Sequence, residues 1–303
     1  MATELIIKTT ALNYSYAKGI NTLSNINLEV PGGSVYGFLG PNGSGKTTTL
    51  SLLLGLLKIQ KGQISIFGEE MHNEKTSTFR RIGSLIETPS LYGHLTAKEN
   101  LGIYRQVYDA PMSRIQEVLN IAGLEDTGRK TVKKFSLGMK QRLSIALALL
   151  PNPELLILDE PSNGLDPQGI VELRELIKKL NSNGMTILIS SHILGEIEKI
   201  VTHVGIIVKG EMLFQGALQQ LHQFQQKKGK LLINTSDNEK ARSLLTEFNP
   251  GAANGTLALD LTDLHQVAKI NRILINNDLD VYLLQPMKPD LEQLFIDLTS
   301  IQS

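Results

Sequence analysis

The sequence contains no cysteine among its 303 residues. That excludes disulfides, thiolate metal sites and cysteine nucleophiles, and it fits a reducing compartment. A surplus of charge is missing as well: thirty Lys and Arg offset thirty Asp and Glu. Nucleic-acid binders usually carry a basic excess, so the bulk charge offers no case for one and leaves room only for a local patch. Long apolar runs are also absent. Spanning a bilayer takes roughly 18 apolar residues, and stretches such as "LSLLLGLL" and "LSIALALL" fall well short. They read as pieces of core helix, so any membrane role has to come through a partner. The start, "MATELIIKTT", is too short and too charged to read as a signal peptide.

What is present is an ordinary globular composition, 41% hydrophobic and 20% charged. The length suits one large domain, or a medium domain with a small one. Up to about residue 215 strand-like and helix-like segments alternate. "ELIIKTTALNYSY", "TLSNINLEVP" and "SVYGFLG" read as strands, and a helix follows Lys46. "GQISIFGEEM" reads as one strand and "FRRIGSLIET" as a strand running into a loop. Residues Thr96 to Leu124 have helical periodicity with a capping start at "TAKEN". "ELLILDEP" and "MTILISSH" are too apolar to face water on either side, which places them inside a parallel sheet. "VGIIVKGEMLFQG" reads as a hairpin. Five Gln in the eight residues from Gln219 mark a polar helix end or linker and the domain boundary. Beyond it a βαβαβα rhythm runs to a last helix, "DLEQLFIDLTS", long enough for a small two-layer module. Eight basic and ten acidic residues over 218–303 keep that module from being a basic nucleic-acid arm.

"GPNGSGKT" matches the P-loop pattern, with Gly40, Gly45, Lys46 and Thr47 at the required positions. It follows one expected strand and opens one expected helix, the context that gives the motif its meaning. Its glycines let backbone N–H groups turn toward phosphate oxygens, the Lys reaches the β- and γ-phosphates, and the Thr hydroxyl ligates Mg²⁺. Asp159, at the end of "LLILDE", suits the same Mg²⁺. Glu160 comes next and, by strand alternation, points to the opposite side. A carboxylate there can orient and deprotonate an attacking water. His192 ends "TILISSH", a strand that could lie beside "LLILDE", from where its imidazole could bond the γ-phosphate or the water. "FSLGMKQR" adds a second anion site about ninety residues after the first. Ser136 there starts a helix whose free N–H groups and dipole attract anions, and a plain N-cap serine would look the same.

Taken in order, the P-loop, "FSLGMKQR", "LLILDEP", "SNGLD" and His192 resemble the nucleotide-binding subunit of ABC transporters, strongly over about residues 3–215. The resemblance implies an α/β fold, a P-loop NTPase of the ABC ATPase type. Its parts would be a mixed-sheet core, an antiparallel β subdomain and a helical subdomain over about 88–150, all within 1–217. A small C-terminal α/β module over 218–303 would follow. It also implies ATP and Mg²⁺, with nucleotide contacts at Gly40, Pro41, Asn42, Gly43, Ser44, Gly45, Lys46, Thr47 and Thr48. Lys46, Glu160 and His192 would be catalytic, and Thr47, Asp159 and Glu87 would stand around the metal. Tyr16, lying 24 residues before Gly40, would stack on adenine, with Tyr14 as its nearest rival. In this family the signature, here Ser136, Leu137, Gly138 and Met139, binds the γ-phosphate held by another subunit's P-loop. Two ATP molecules are then sandwiched head-to-tail between two copies. Asp166 in "SNGLD" would contact the opposing subunit, and it could equally be the N-cap before Pro167.

Two departures from the family pattern matter. The signature replaces the commoner Leu-Ser-Gly-Gly-Gln at Phe135, Leu137 and Met139 but keeps Ser136 and Gly138. Glu87 stands near where the family usually has Gln. That Glu, with "IETPSLYGHLTAKENL" and the C-terminal module, resembles the ATPases that protect bacteria from bacitracin and lantibiotic peptides. The expected protein is therefore an ATPase subunit on the cytoplasmic face of a bacterial membrane, driving export through a separate permease. The segment from Glu87 to Leu101 would receive the permease. The competing readings are a soluble translation or DNA-repair ATPase and an importer subunit. Translation members carry two cassettes in one chain and repair members a long coiled coil, and this chain has neither.

Overall fold

The structure, a computed structural model, describes residues 4–17, 19–71, 76–86, 91–226, 229–253, 255–261 and 263–287. The chain divides into two compact units, Met1–Leu218 and Gln219–Ser303. Among the described residues no helix is long and apolar enough to cross a membrane.

The first unit opens with β1 (Leu5–Tyr14), β2 (Leu23–Ile26) and β3 (Glu29–Pro31). "TLSNINLEVP" is thus two short strands and not one. Asn25 takes a left-handed φ of 53°, which Asn tolerates better than most residues, and its N–H is held by Asn13 Oδ1 at 3.1 Å. Next come β4 (Val35–Leu39), α1 (Lys46–Leu53), β5 (Lys61–Ile66) and β6 (Glu69–Glu70). "GQISIFGEEM" is a hairpin, because Phe67 and Gly68 both have positive φ, 53° and 73°, as a two-residue turn matched to strand twist requires. Strands β1, β2, β5 and β6 form an antiparallel sheet in the order β2-β1-β5-β6, with β3 also on β1.

The chain continues through α2 (Thr76–Arg80), β7 (Ile82–Leu85), α3 (Ala97–Tyr108), α4 (Met112–Ile121) and α5 (Leu137–Ala148). "FRRIGSLIET" therefore begins as the end of a short helix. Then follow β8 (Leu155–Leu158), α6 (Pro167–Ser182), β9 (Thr186–Ser191), α7 (Leu194–Ile197), β10 (His203–Val208) and β11 (Glu211–Ala217). The second sheet runs β11-β10-β4-β9-β8-β7. It is parallel from β10 to β7, and β11 is antiparallel. All four residues of β8 are 0% exposed, as a strand covered on both faces must be.

Helix α1 lies between the two sheets, with Leu50, Leu52 and Leu53 sharing one apolar cluster with Ile7, Ile64 and Ile66 on one side and Ile157 and Leu188 on the other. Each such side chain contributes about 1.5–3 kcal/mol of burial, so the position of α1, and of the loop before it, is strongly determined. Helices α3, α4 and α5 pack on one another. Thr96 and Glu99 form a reciprocal capping box at the start of α3. Asn100, fully buried, donates to the carbonyls of Tyr92 and Thr96 and accepts the Tyr92 N–H, pinning the loop in front.

The second unit holds most of α8 (Leu218–Gln226), so the Gln-rich stretch is helical. It continues with β12 (Gly229–Thr235), α9 (Asn238–Leu244), β13 (Gly251–Ala253), β14 (Thr256–Leu261), α10 (Leu264–Asn276) and β15 (Val281–Met287). The strands form one antiparallel sheet, ordered β13-β14-β12-β15, since β13 and β14 follow each other as a hairpin and not across a helix. Leu231, Ile233, Leu257 and Leu259 pack against Leu245, Ile270 and Leu274. The last helix expected from "DLEQLFIDLTS" lies outside the described residues.

Candidate active site

Strands β4, β9 and β8 lie side by side in parallel, with Leu39 opposite Ser191 and Leu158 opposite Ile189. Their C-terminal ends therefore open on one edge, where an open α/β sheet places its ligands. The P-loop leaves β4, Asp159 and Glu160 leave β8, and His192 leaves β9 between them.

The P-loop is built for close approach. Gly45 sits at φ 107°, and a Cβ built there would lie 2.5 Å from Leu23 Cδ2. A Cβ on Gly40 would lie 2.4 Å from both the Ile207 carbonyl and Ser44 Oγ. Ser44 Oγ is buried and, among the described residues, has no hydrogen-bond partner, an orphan that a phosphate oxygen would satisfy. Gly45→Ala should destabilise the chain through backbone strain of about 1–3 kcal/mol and abolish nucleotide binding. Thermal melts with and without ATP test this, and an unchanged ATP-induced shift would count against the loop's role.

Lys46 is only 5% exposed, and its ammonium has three donors. It reaches the carbonyls of Gly40 at 2.8 Å and Pro41 at 3.3 Å, and Glu160 Oε1 at 3.1 Å. The Thr47 hydroxyl donates to Asp159 Oδ2 at 2.8 Å. His192 Nδ1 lies 2.7 Å from Glu160 Oε2. Both carboxylates thus face the P-loop, and the opposite direction expected for Glu160 is wrong. Glu160 has a left-handed φ of 47°, which breaks strand alternation and turns the side chain back. Non-glycine residues rarely hold that conformation, and those that do cluster at functional sites.

Sequence reasoning passed over Ser190, which is fully buried on β9. Its hydroxyl donates to Asp159 Oδ1 and accepts the Glu160 N–H at 2.8 Å. Its one signal in the sequence was a hydroxyl next to the apolar run Ile187–Ile189, in a strand whose residues are all buried. Beyond His192, Ser162 donates to Glu196, and Arg174 donates to the Glu196 carbonyl at 2.6 Å.

Tyr16 and Tyr14 meet edge to face at 5.0 Å. Tyr14 packs against the apolar core, whereas Tyr16 is 66% exposed with its hydroxyl 3.4 Å from Thr48 Oγ1. The exposed ring beside the P-loop helix is therefore Tyr16.

The segment Ser136–Met139 opens a different helix, α5. Ser136 caps α5 by accepting the Met139 N–H at 3.2 Å, and Leu137 is 50% exposed. Asp166 caps α6 by accepting the Gly169 N–H at 2.8 Å. The two helix starts touch: a Cβ on Gly138 would sit 3.7 Å from Gly169 Cα. Among the described residues no hydrogen bond or ion pair joins Ser136–Met139 to the P-loop. Asn42 and Gly43 are exposed on the P-loop, while Glu87 lies outside the described residues.

Comparison with known proteins gives the family. The profile described as "ABC transporter" matches residues 23–163. The chain is 44% identical over 299 residues to the bacitracin transport ATP-binding protein BcrA of Bacillus licheniformis, covering 97% of both chains. It is 45% identical over 210 residues to the lantibiotic transport ATP-binding protein SrtF of Streptococcus pyogenes, covering 69% of this chain and 90% of the relative. The ATP-binding cassette MJ0796, solved as a dimer in a post-hydrolysis state with ADP and Pi, superposes with a TM-score of 0.62 at 27% identity, over 70% of this chain and 98% of that one. The chain belongs to the ABC transporter family, as an ATP-binding and ATP-hydrolysing subunit.

Proposed function

We propose that two copies of this chain close head-to-tail around two ATP molecules and so drive export of a bacitracin- or lantibiotic-type peptide through a separate membrane permease. The working position is the cytoplasmic face of the membrane. The observation that carries the reading is that the P-loop and the Ser136 helix start belong to different elements. Lys46, Glu160 and His192 gather at one sheet edge, while Ser136 caps a different helix and, among the described residues, makes no bond to them. An anion site away from its own P-loop serves a phosphate brought by another molecule. The substrate class rests on the likeness to the bacitracin and lantibiotic transport proteins.

In this reading Tyr16 stacks on the adenine, and the P-loop N–H groups at the start of α1, those of Gly45, Lys46, Thr47 and Thr48, cradle the phosphates with the Lys46 ammonium. Thr47 and Asp159 would hold Mg²⁺. A hydroxyl and one carboxylate oxygen 2.8 Å apart form a small, hard donor set, suited to an ion that keeps several waters and takes its remaining oxygens from phosphates. When bound, that ion supplies charge compensation on the β- and γ-phosphates. Glu160 accepts a proton from the attacking water, and His192, bonded to the same carboxylate, holds it in line. Lys46 stabilises charge on the transferring phosphoryl group. Ser136 and the N–H groups near Gly138 of the second copy clasp the γ-phosphate, with Asp166 beside them at the junction. Loss of that phosphate weakens the bridge, and the dimer opens.

Specific ATPase activity should therefore rise with protein concentration, because only paired copies make a whole site. Steady-state rates across a wide dilution series test it, and a constant specific activity at dilutions where the protein is monomeric would refute the shared site. Co-expression with the cognate permease should raise tolerance to bacitracin or a lantibiotic. Unchanged tolerance to both would remove the substrate class but not the ATPase.

A further inference from the structure

We infer that Ser190 is a positioning residue for ATP hydrolysis, one hydroxyl that sets both carboxylates of the site. The inference rests on the roles proposed above for Asp159 and Glu160. Ser190 is 0% exposed and sits on β9, the strand between the P-loop strand and the carboxylate strand. A serine hydroxyl has one proton to give and lone pairs to receive, and here both capacities are used on adjacent residues. The proton goes to Asp159 Oδ1. The oxygen receives the backbone N–H of Glu160 at 2.8 Å.

Each bond has a consequence. With Oδ1 occupied, the Asp159 carboxylate cannot rotate freely, and Oδ2 is the oxygen left facing Thr47 Oγ1 at 2.8 Å. That oxygen is the one the metal would use. With its N–H fixed, Glu160 is held at φ 47°, the conformation that brings its carboxylate to Lys46 and His192. An untethered Glu160 would relax toward negative φ, and its side chain would follow strand alternation away from the P-loop. Ser190 therefore links the metal-facing carboxylate to the water-facing one without touching nucleotide itself. Groups that orient a metal's ligands characteristically change metal affinity or activity about 10- to 100-fold when removed.

The test compares Ser190→Ala, Ser190→Thr and Ser190→Val in the full chain. Thr keeps the hydroxyl and Val matches its shape without it, so their difference isolates the hydroxyl from packing. Ser190→Val and Ser190→Ala should lose kcat by about 10- to 100-fold with KM for ATP within about twofold, because the P-loop is untouched. Both should also bind Mn²⁺ more weakly in the presence of ADP, read by electron paramagnetic resonance, and Ser190→Thr should recover both properties. Equal kcat and equal Mn²⁺ binding for Thr and Val would overturn the inference, as would an alanine variant that keeps the parent's values. If Val does not fold, the Ala and Thr variants carry the same comparison. Glu160→Gln is measured alongside. If it keeps turnover, the proposed role of Glu160 has failed. If it loses turnover while the Ser190 variants match the parent, only the role of Ser190 has.

Discussion

Replacing Glu160 by Gln should leave ATP bound and uncleaved. The amide has nearly the shape of the carboxylate, so the contact to His192 Nδ1, 2.7 Å in the parent, persists. The residue keeps the backbone bond from its N–H to Ser190. What it loses is basicity. A positioned general base is worth about 10²–10⁴-fold in rate, and turnover should fall by that amount. ATP affinity should hold or rise, for an electrostatic reason. The parent carboxylate sits 3.1 Å from Lys46, competes for that ammonium and repels an incoming phosphate. At 4 Å such a repulsion is worth between ~1 kcal/mol in water and ~4 kcal/mol near a protein surface. Its removal should favour the closed pair, so Glu160→Gln should elute as a dimer in ATP and as a monomer without it. Size-exclusion chromatography and a phosphate-release assay read the two halves. Parental turnover in the variant would end the assignment of Glu160 as the base.

The second large effect comes from mixing two inactive variants. Lys46→Ala removes an ammonium held by two P-loop carbonyls and by Glu160 and should abolish ATP binding by its own chain. Ser136→Asp keeps a good N-cap, since Asp serves that position as well as Ser, and the exposed start of α5 should fold as before. In the proposed sandwich the new charge would face the γ-phosphate brought by the other copy and repel it. Each variant alone should be inactive. In a mixed dimer one site combines both lesions, while the other combines an intact P-loop with an intact signature. Random pairing puts about half of the dimers in mixed form, each with one whole site, so about a quarter of the parental activity should return with independent sites. Activity that stays at the level of the separate variants after mixing and exchange would place each site within one chain and refute the sandwich.

These predictions draw unequally on sequence and fold. Lys46, Thr47, Asp159, Ser136 and Asp166 were legible because each belongs to a short motif whose chemistry is tied to a local backbone shape. A glycine-rich turn before a helix, a carboxylate ending a buried strand and a serine or aspartate opening a helix can be read without neighbours. The choice between Tyr14 and Tyr16 could not. Both fit an aromatic before the P-loop, and only packing, which half-buries Tyr14 against the core and leaves Tyr16 66% exposed, separates them. The mistaken direction of Glu160 has the same origin. Alternation along a strand is a sound local rule, and a bond from another strand together with a φ of 47° overrode it.

By itself the sequence determined the phosphate loop, the two carboxylates, the buried parallel strands and the serine that opens the helix at Ser136. All of these depend on residues close together in the chain. The tertiary structure decided which of those residues meet. Thr47 and Asp159 lie 112 positions apart, and they touch because β9 inserts between β4 and β8 and aligns the three strand ends. Ser190 acquires a role only through that insertion, since a hydroxyl in a buried strand has no meaning until the groups it bonds are brought to either side of it.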